Sequence, residues 1–237
     1  MNRIKRAVIG GLLLGAMFLT GCSTTDMGKF GAEMGSKSIP VVGTQRIPYT
    51  STVKYFGYVK PGSEPDAVVD GKKFSYLYVW IPLVAPELGV RMASPVLDLA
   101  VPEEGDMVDP LWEENKEDQD NFFDTYIVLE RAATIISPDQ ILDQADSTEW
   151  ITYAQNDDSS EMPDDPEGRS YNSLMRVVSE PSNPTKALVA GLYRIGFTTY
   201  KVGEVQGSFY AEVGAPVNMP GTFIARDLDS LVEMIKE

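Results

Sequence analysis

Residues 155–165 read QNDDSSEMPDD, two aspartate pairs separated by a short polar run. The adjacent carboxylates of Asp157 and Asp158 repel one another, and a bound divalent cation would let both stay ionised in one ordered loop. Calcium takes roughly six to eight oxygen ligands, and loops supply them well because their carbonyls are not committed to a ladder. A solvated acidic loop has the same composition, so the pair by itself leaves both readings open. The stretch is not an EF-hand, since a loop starting at Asp157 would need glycine at its sixth position and has Met162. A second candidate is Asp124-Thr125 within FFDTYIVLE (122–130), where carboxylate and hydroxyl make two hard oxygens or, equally, a turn cap. Tyr171-Asn172-Ser173 forms the polar entry to a later strand and can offer carbonyls.

Other chemistries are narrowed by what the chain lacks. It has no histidine and one cysteine, Cys22. Ser-His-Asp and Cys-His catalysis and the usual zinc and copper ligand sets are therefore excluded. Carboxylates, hydroxyls, tyrosines and basic side chains remain. The formal charge of -15 makes a nucleic-acid partner a poor expectation and suits divalent cations or basic surfaces.

The N-terminus reads as a secretory leader. Arg3, Lys5 and Arg6 precede an apolar run over 7–18 that is too short to span a bilayer and stay there. Leu19-Thr20-Gly21-Cys22 is the cleavage pattern of a bacterial lipoprotein, in which Cys22 becomes the first residue and takes lipid. Ser23 fits delivery to the outer membrane. With Cys22 lipidated, no thiol is left for a disulfide, a nucleophile or a metal. Residues 1–21 are thus expected as signal peptide, 22–51 as a flexible Gly/Ser/Thr/Lys-rich tether, and 52–237 as one folded domain.

Within that domain, aromatic and β-branched runs bounded by Pro and Gly predict strands at 53–60, 74–81, 123–129, 174–178, 192–200 and 208–213. In LYRIGFTTY (192–200), Tyr193, Ile195 and Phe197 alternate with Arg194, Gly196 and Thr198, the pattern of a half-buried strand. Short helices are expected from Ser137, where Ser-Pro-Asp-Gln makes a capping box, and over 228–235, where Leu228, Leu231, Val232 and Ile235 recur at helical spacing. Acidic stretches at 103–120 and 143–167 are long enough to be loop insertions, and Asp109-Pro110-Leu111-Trp112 can start a helical turn in the first. The fold class is mainly β, a jelly-roll β-sandwich with a few short peripheral helices.

YFGYVKPG (55–62), YLYVWIP (76–82), GVRMASP (89–95), FDT (123–125), YNSLMR (171–176) and GLYRIGFTTYKVGEVQGSF (191–209) together resemble the major leptospiral surface lipoprotein family, in the same order and at similar spacing. The resemblance implies a calcium-binding jelly roll, lipid-anchored in the outer membrane, adhering to matrix proteins such as fibronectin, laminin and collagen, and not an enzyme. It places the family's calcium ligands on Asp124, Thr125, Asp157, Asp158 and Tyr171, the last through its main-chain carbonyl. Asp164 and Asp165 receive no such role and read as solvated charge. The family's near-continuous aspartate run is diluted here, and the short stretch after the expected C-terminal helix, up to residue 237, does not contain the family's long Lys-rich tail.

Three functions follow as expectations. The first is a calcium-stabilised surface lipoprotein, anchored through Cys22, that binds extracellular-matrix-like macromolecules. The second is a structural coat subunit that contacts only copies of itself and calcium, as a homo-oligomer. The third is a glycan hydrolase built on a carboxylate pair, the one catalytic tool this composition retains.

Overall fold

A computed structural model describes residues 51–96, 102–103, 106–108, 112–115, 121–157, 171–183 and 185–237. The expected signal peptide, Cys22 and most of the tether lie outside these residues, as do Asp158, Asp164 and Asp165. The chain forms β1 (Ser51–Val59), β2 (Ala67–Val69), β3 (Lys72–Val84), β4 (Glu87–Ser94), β5 (Met107–Val108), β6 (Thr125–Ala132), α1 (Ile141–Gln144), β7 (Trp150–Asn156), β8 (Tyr171–Val178), β9 (Val189–Thr199), β10 (Gly207–Ala215), β11 (Phe223–Ala225) and α2 (Leu228–Lys236). Single 3-10 turns precede α1 and occupy Trp112–Glu114.

The strands make two sheets, one ordered β5-β1-β10-β4-β8 and the other β11-β3-β9-β6-β7 with β2 on β3. The chain passes repeatedly from one sheet to the other, as the expected jelly-roll sandwich requires. Between the sheets sits one apolar core, with Leu77, Val79 and Ile81 of β3, Ile127 and Leu129 of β6, and Ile195 and Phe197 of β9 facing Val90, Met92, Phe209, Ala211 and Val213. The period-two pattern puts these side chains on one face.

Three expectations are corrected. The stretch 143–167 is not one loop, because β7 pairs with β6 from Ile127↔Asn156 to Ala132↔Trp150. Its polar sequence suits an edge strand whose outer positions meet water. Strand β8 begins at Tyr171 rather than 174. And β9 is not half-buried: rings of Phe74 and Tyr76 lie over Gly196, where an added Cβ would come within 2.6 Å of Phe74, while Leu192 packs under α2. Pro82 inside β3 has no N–H to give, and the β3–β9 register shifts between Ile81 and Val84.

Helix α2 closes the far side of the second sheet. Leu231 and Val232 pack on Trp80, Leu192, Ala225 and Ile141. Asp227 caps it, its Oδ1 accepting from Ser230 N at 2.8 Å and its Oδ2 from Ser230 Oγ at 2.8 Å. The backbone N–H of Ser230 holds this carboxyl below its ordinary 3.8. A depressed folded-state pKa contributes stability above the unfolded value and loses it as pH falls through the folded one. Asp227→Ala is therefore expected to cost about 1 kcal/mol at neutral pH, with the difference from the parent chain closing in acid below the ordinary carboxylate range. Thermal melts at stepped pH check this, and a difference that persists unchanged at the acid end would refute it.

Candidate cation site at one pole of the sandwich

Three strand ends meet at one pole. Strand β6 starts there at Thr125, β7 ends there at Asn156, and β8 starts there at Tyr171. The register dictates the meeting: Ile127 lies across from Asn156, and Thr125 lies across from Thr199 at the end of β9. One step further, Tyr200 N donates to Asp124 O at 2.9 Å, which carries the ladder up to the first candidate aspartate. Side chains stitch the two sheets together here, and one of them is Asn156, whose Oδ1 accepts from Leu174 N at 3.0 Å.

At the centre is Ser173. Its hydroxyl lies 3.0 Å from Thr125 O, 2.8 Å from Asp157 O and 2.6 Å from Thr125 Oγ1, and both Ser173 and Thr125 are fully buried. One hydroxyl proton cannot serve two carbonyls at once, so this knot is rich in oxygen and poor in protons. Hard oxygens in such an arrangement suit a hard cation. Asp124 and Asp157 are both half-buried at its rim.

Asp157 is also near enough to Tyr126 to act on it. The Tyr126 phenol is raised from its ordinary value first by burial, then by the Asp157 charge and by Tyr200. The same hydroxyl donates to Gln155 Oε1 at 2.7 Å. A lysine fixes the other side of the rim: Lys72 Nζ donates to the carbonyl of Thr199 at 3.1 Å and to that of Tyr200, and sits 4.9 and 5.1 Å from the ring centres of Tyr126 and Tyr200.

Of the five expected ligands, the fold brings together Asp124, Thr125, Asp157 and the strand that begins at Tyr171. The side chains of Asp158 and Tyr171 lie outside the described residues, while the Tyr171 backbone pairs with Ser94 on β4. Among the described residues no three acidic, histidine or cysteine side chains gather as a metal cluster. Ser173 and Lys72 carry more of the geometry than their sequence suggests. Ser173 was legible only as part of a polar strand entry, and Lys72 gave no signal, because both act through backbone carbonyls distant in the chain.

The profile of Lipl32, the surface lipoprotein of the Spirochaetales order, matches residues 43–224. That span takes in every strand up to β11 and all five candidate ligands, and leaves α2 and Cys22 outside it. No curated protein matches the chain. Matched over most of its length, the chain belongs to the Spirochaetales surface lipoprotein family.

Proposed function

We propose that this surface lipoprotein is anchored to the outer membrane through lipid on Cys22, binds calcium at the β6–β7–β8 pole, and works by binding matrix-like macromolecules rather than by catalysis. The observation that carries the cation reading is the Ser173 knot, where Thr125 Oγ1, Thr125 O and Asp157 O crowd one hydroxyl at the strand ends that carry Asp124 and Asp157. Thr125, Asp124, Asp157 and Asp158 would hold the ion, with Tyr171 giving its carbonyl. The ion would supply the charge that lets the carboxylates share the pole, and it would brace the junction between the sheets. The matrix partner rests on the family resemblance and on the cell-surface class of the chain.

Calcium at about 100 times its dissociation constant is expected to stabilise the fold by about 2.7 kcal/mol. For a domain of this size that corresponds to a rise in Tm of roughly 5–10 °C. Scanning calorimetry of the mature chain in calcium and in chelator measures it. The Asp157→Asn, Asp158→Asn double variant should fold and lose the rise. An identical Tm in both buffers, with no heat on calcium titration, would remove the cation from the proposal. Capture on immobilised fibronectin, laminin and collagen, with and without calcium, tests the adhesive half separately.

A further inference from the structure

The sandwich has a second pole whose character is the opposite of the first. Ser51 pairs with Ala215, Glu87 with Val178 and Val84 with Val189, so β1 starts, β3 ends, β4 starts, β8 ends and β10 ends there. A groove of about 230 Å³ runs between the two sheets at this end. Val53, Leu88, Val217, Met219, Phe223 and Met234 line it, and no charged side chain among the described residues does. On a chain of formal charge -15 that is an unusual stretch of surface.

Apolar residues are also exposed at the strand ends of the same pole. Leu83 is 76% exposed and Val217 48%, with Val53, Val84 and Val178 also exposed at the same pole. Pro82 joins the two parts, lying beside Gly221 at the groove's edge. Scattered exposed apolar residues need no explanation, but a contiguous set lining a groove marks an interaction surface.

The position of the chain's entry decides the occupant. Strand β1 begins at Ser51, paired with Ala215 of the groove lining, so the described chain begins at the apolar pole and not at the acidic one. We propose that this pole docks on the lipid bilayer, its groove receiving acyl chains, so that the candidate cation site stands at the distal end and faces away from the membrane. The proposal rests on the anchor reading given above. The anchor confines the domain near the bilayer at a high effective concentration, so a shallow apolar contact suffices to hold this orientation. The chain's negative charge favours zwitterionic over anionic lipid for such contact.

Because Cys22 is the only cysteine and its sulfur would carry lipid, each added cysteine provides a single labelling site. Leu83→Cys and Val217→Cys report on the apolar pole, and Val202→Cys, 66% exposed beyond the end of β9, reports on the other. Each lipidated full-length variant is labelled with an environment-sensitive dye and placed in phosphatidylcholine liposomes carrying nitroxides on their acyl chains. The expected result is blue-shifted emission at 83 and 217, quenched several-fold more than at 202, and lost when the unlabelled neighbour is changed by Val53→Glu while the protein still floats with the liposomes. Flotation with equal quenching at all three sites overturns this inference and leaves the anchor intact. Blue-shifted dyes that lipid nitroxides do not quench, in a protein that sediments as a dimer, would assign the groove to a second copy and overturn it too. Failure to float, with no acyl mass on Cys22, overturns the anchor reading and the docking with it.

Discussion

Arg91→Met alone is expected to lower the unfolding free energy by about 3–5 kcal/mol, and Glu212→Leu alone by a similar amount, whereas the double variant should recover most of the loss. Arg91 on β4 and Glu212 on β10 are register partners, 1% and 0% exposed, with Nη2 and Oε2 3.1 Å apart. The guanidinium lies 5.0 Å from the Tyr210 ring centre, and that phenol is pushed up by burial and then by the Glu212 charge. Removing one partner strands the other charge in a low-dielectric site. Removing both exchanges a desolvated pair for apolar contact, which costs little. Nε and Nη1 of Arg91 have no hydrogen-bond partner among the described residues, which further limits what the pair contributes on its own. Urea unfolding of the four chains gives the coupling energy, and single losses that simply add in the double variant would refute the account.

Phe209→Ala is expected to cost about 3–5 kcal/mol. The ring is 1% exposed, 6.0 Å from Phe123 at its edge and 6.2 Å from Phe197 in a stack, and it lines a cavity with Val59 and Met92. It also lies on Gly57 of β1, where an added Cβ would come 2.1 Å from a ring carbon. Removing the ring enlarges a cavity whose walls are strands held on both sides, so collapse is limited and the upper half of the range applies. The converse substitution, Gly57→Ala, overpacks the same spot and is expected to cost about 1–3 kcal/mol. Combining the two should cost less than their sum, because the methyl group then enters space the ring has left. Denaturant midpoints of the three variants decide it, and strict additivity would show that ring and glycine do not share one packing site.

Legibility from sequence was uneven, for reasons visible in particular residues. Alternation at 192–200 placed Tyr193, Ile195 and Phe197 in the core, where all are at most 2% exposed. The Ser137 capping box appears with Gln140 Oε1 accepting from Ser137 N at 3.0 Å, and the helical spacing after Asp227 is α2. Strand β7 escaped because its polar edge sequence WITYAQN carries no apolar alternation strong enough to outweigh the acids around it. Its place follows from pairing with β6.

The sequence by itself determined the class of the chain: no histidine, one cysteine beside a lipoprotein cleavage pattern, strong acidity, and strands whose side-chain period makes one apolar face. These are local properties, and each is written in a few consecutive residues. Only the tertiary structure decided that Ser173 joins Thr125 to Asp157, that Arg91 and Glu212 meet out of water, and that the acidic and apolar poles lie at opposite ends of the sandwich. Each of those depends on the register between strands far apart in the chain, and register is set by how a whole apolar face packs rather than by any residue along it.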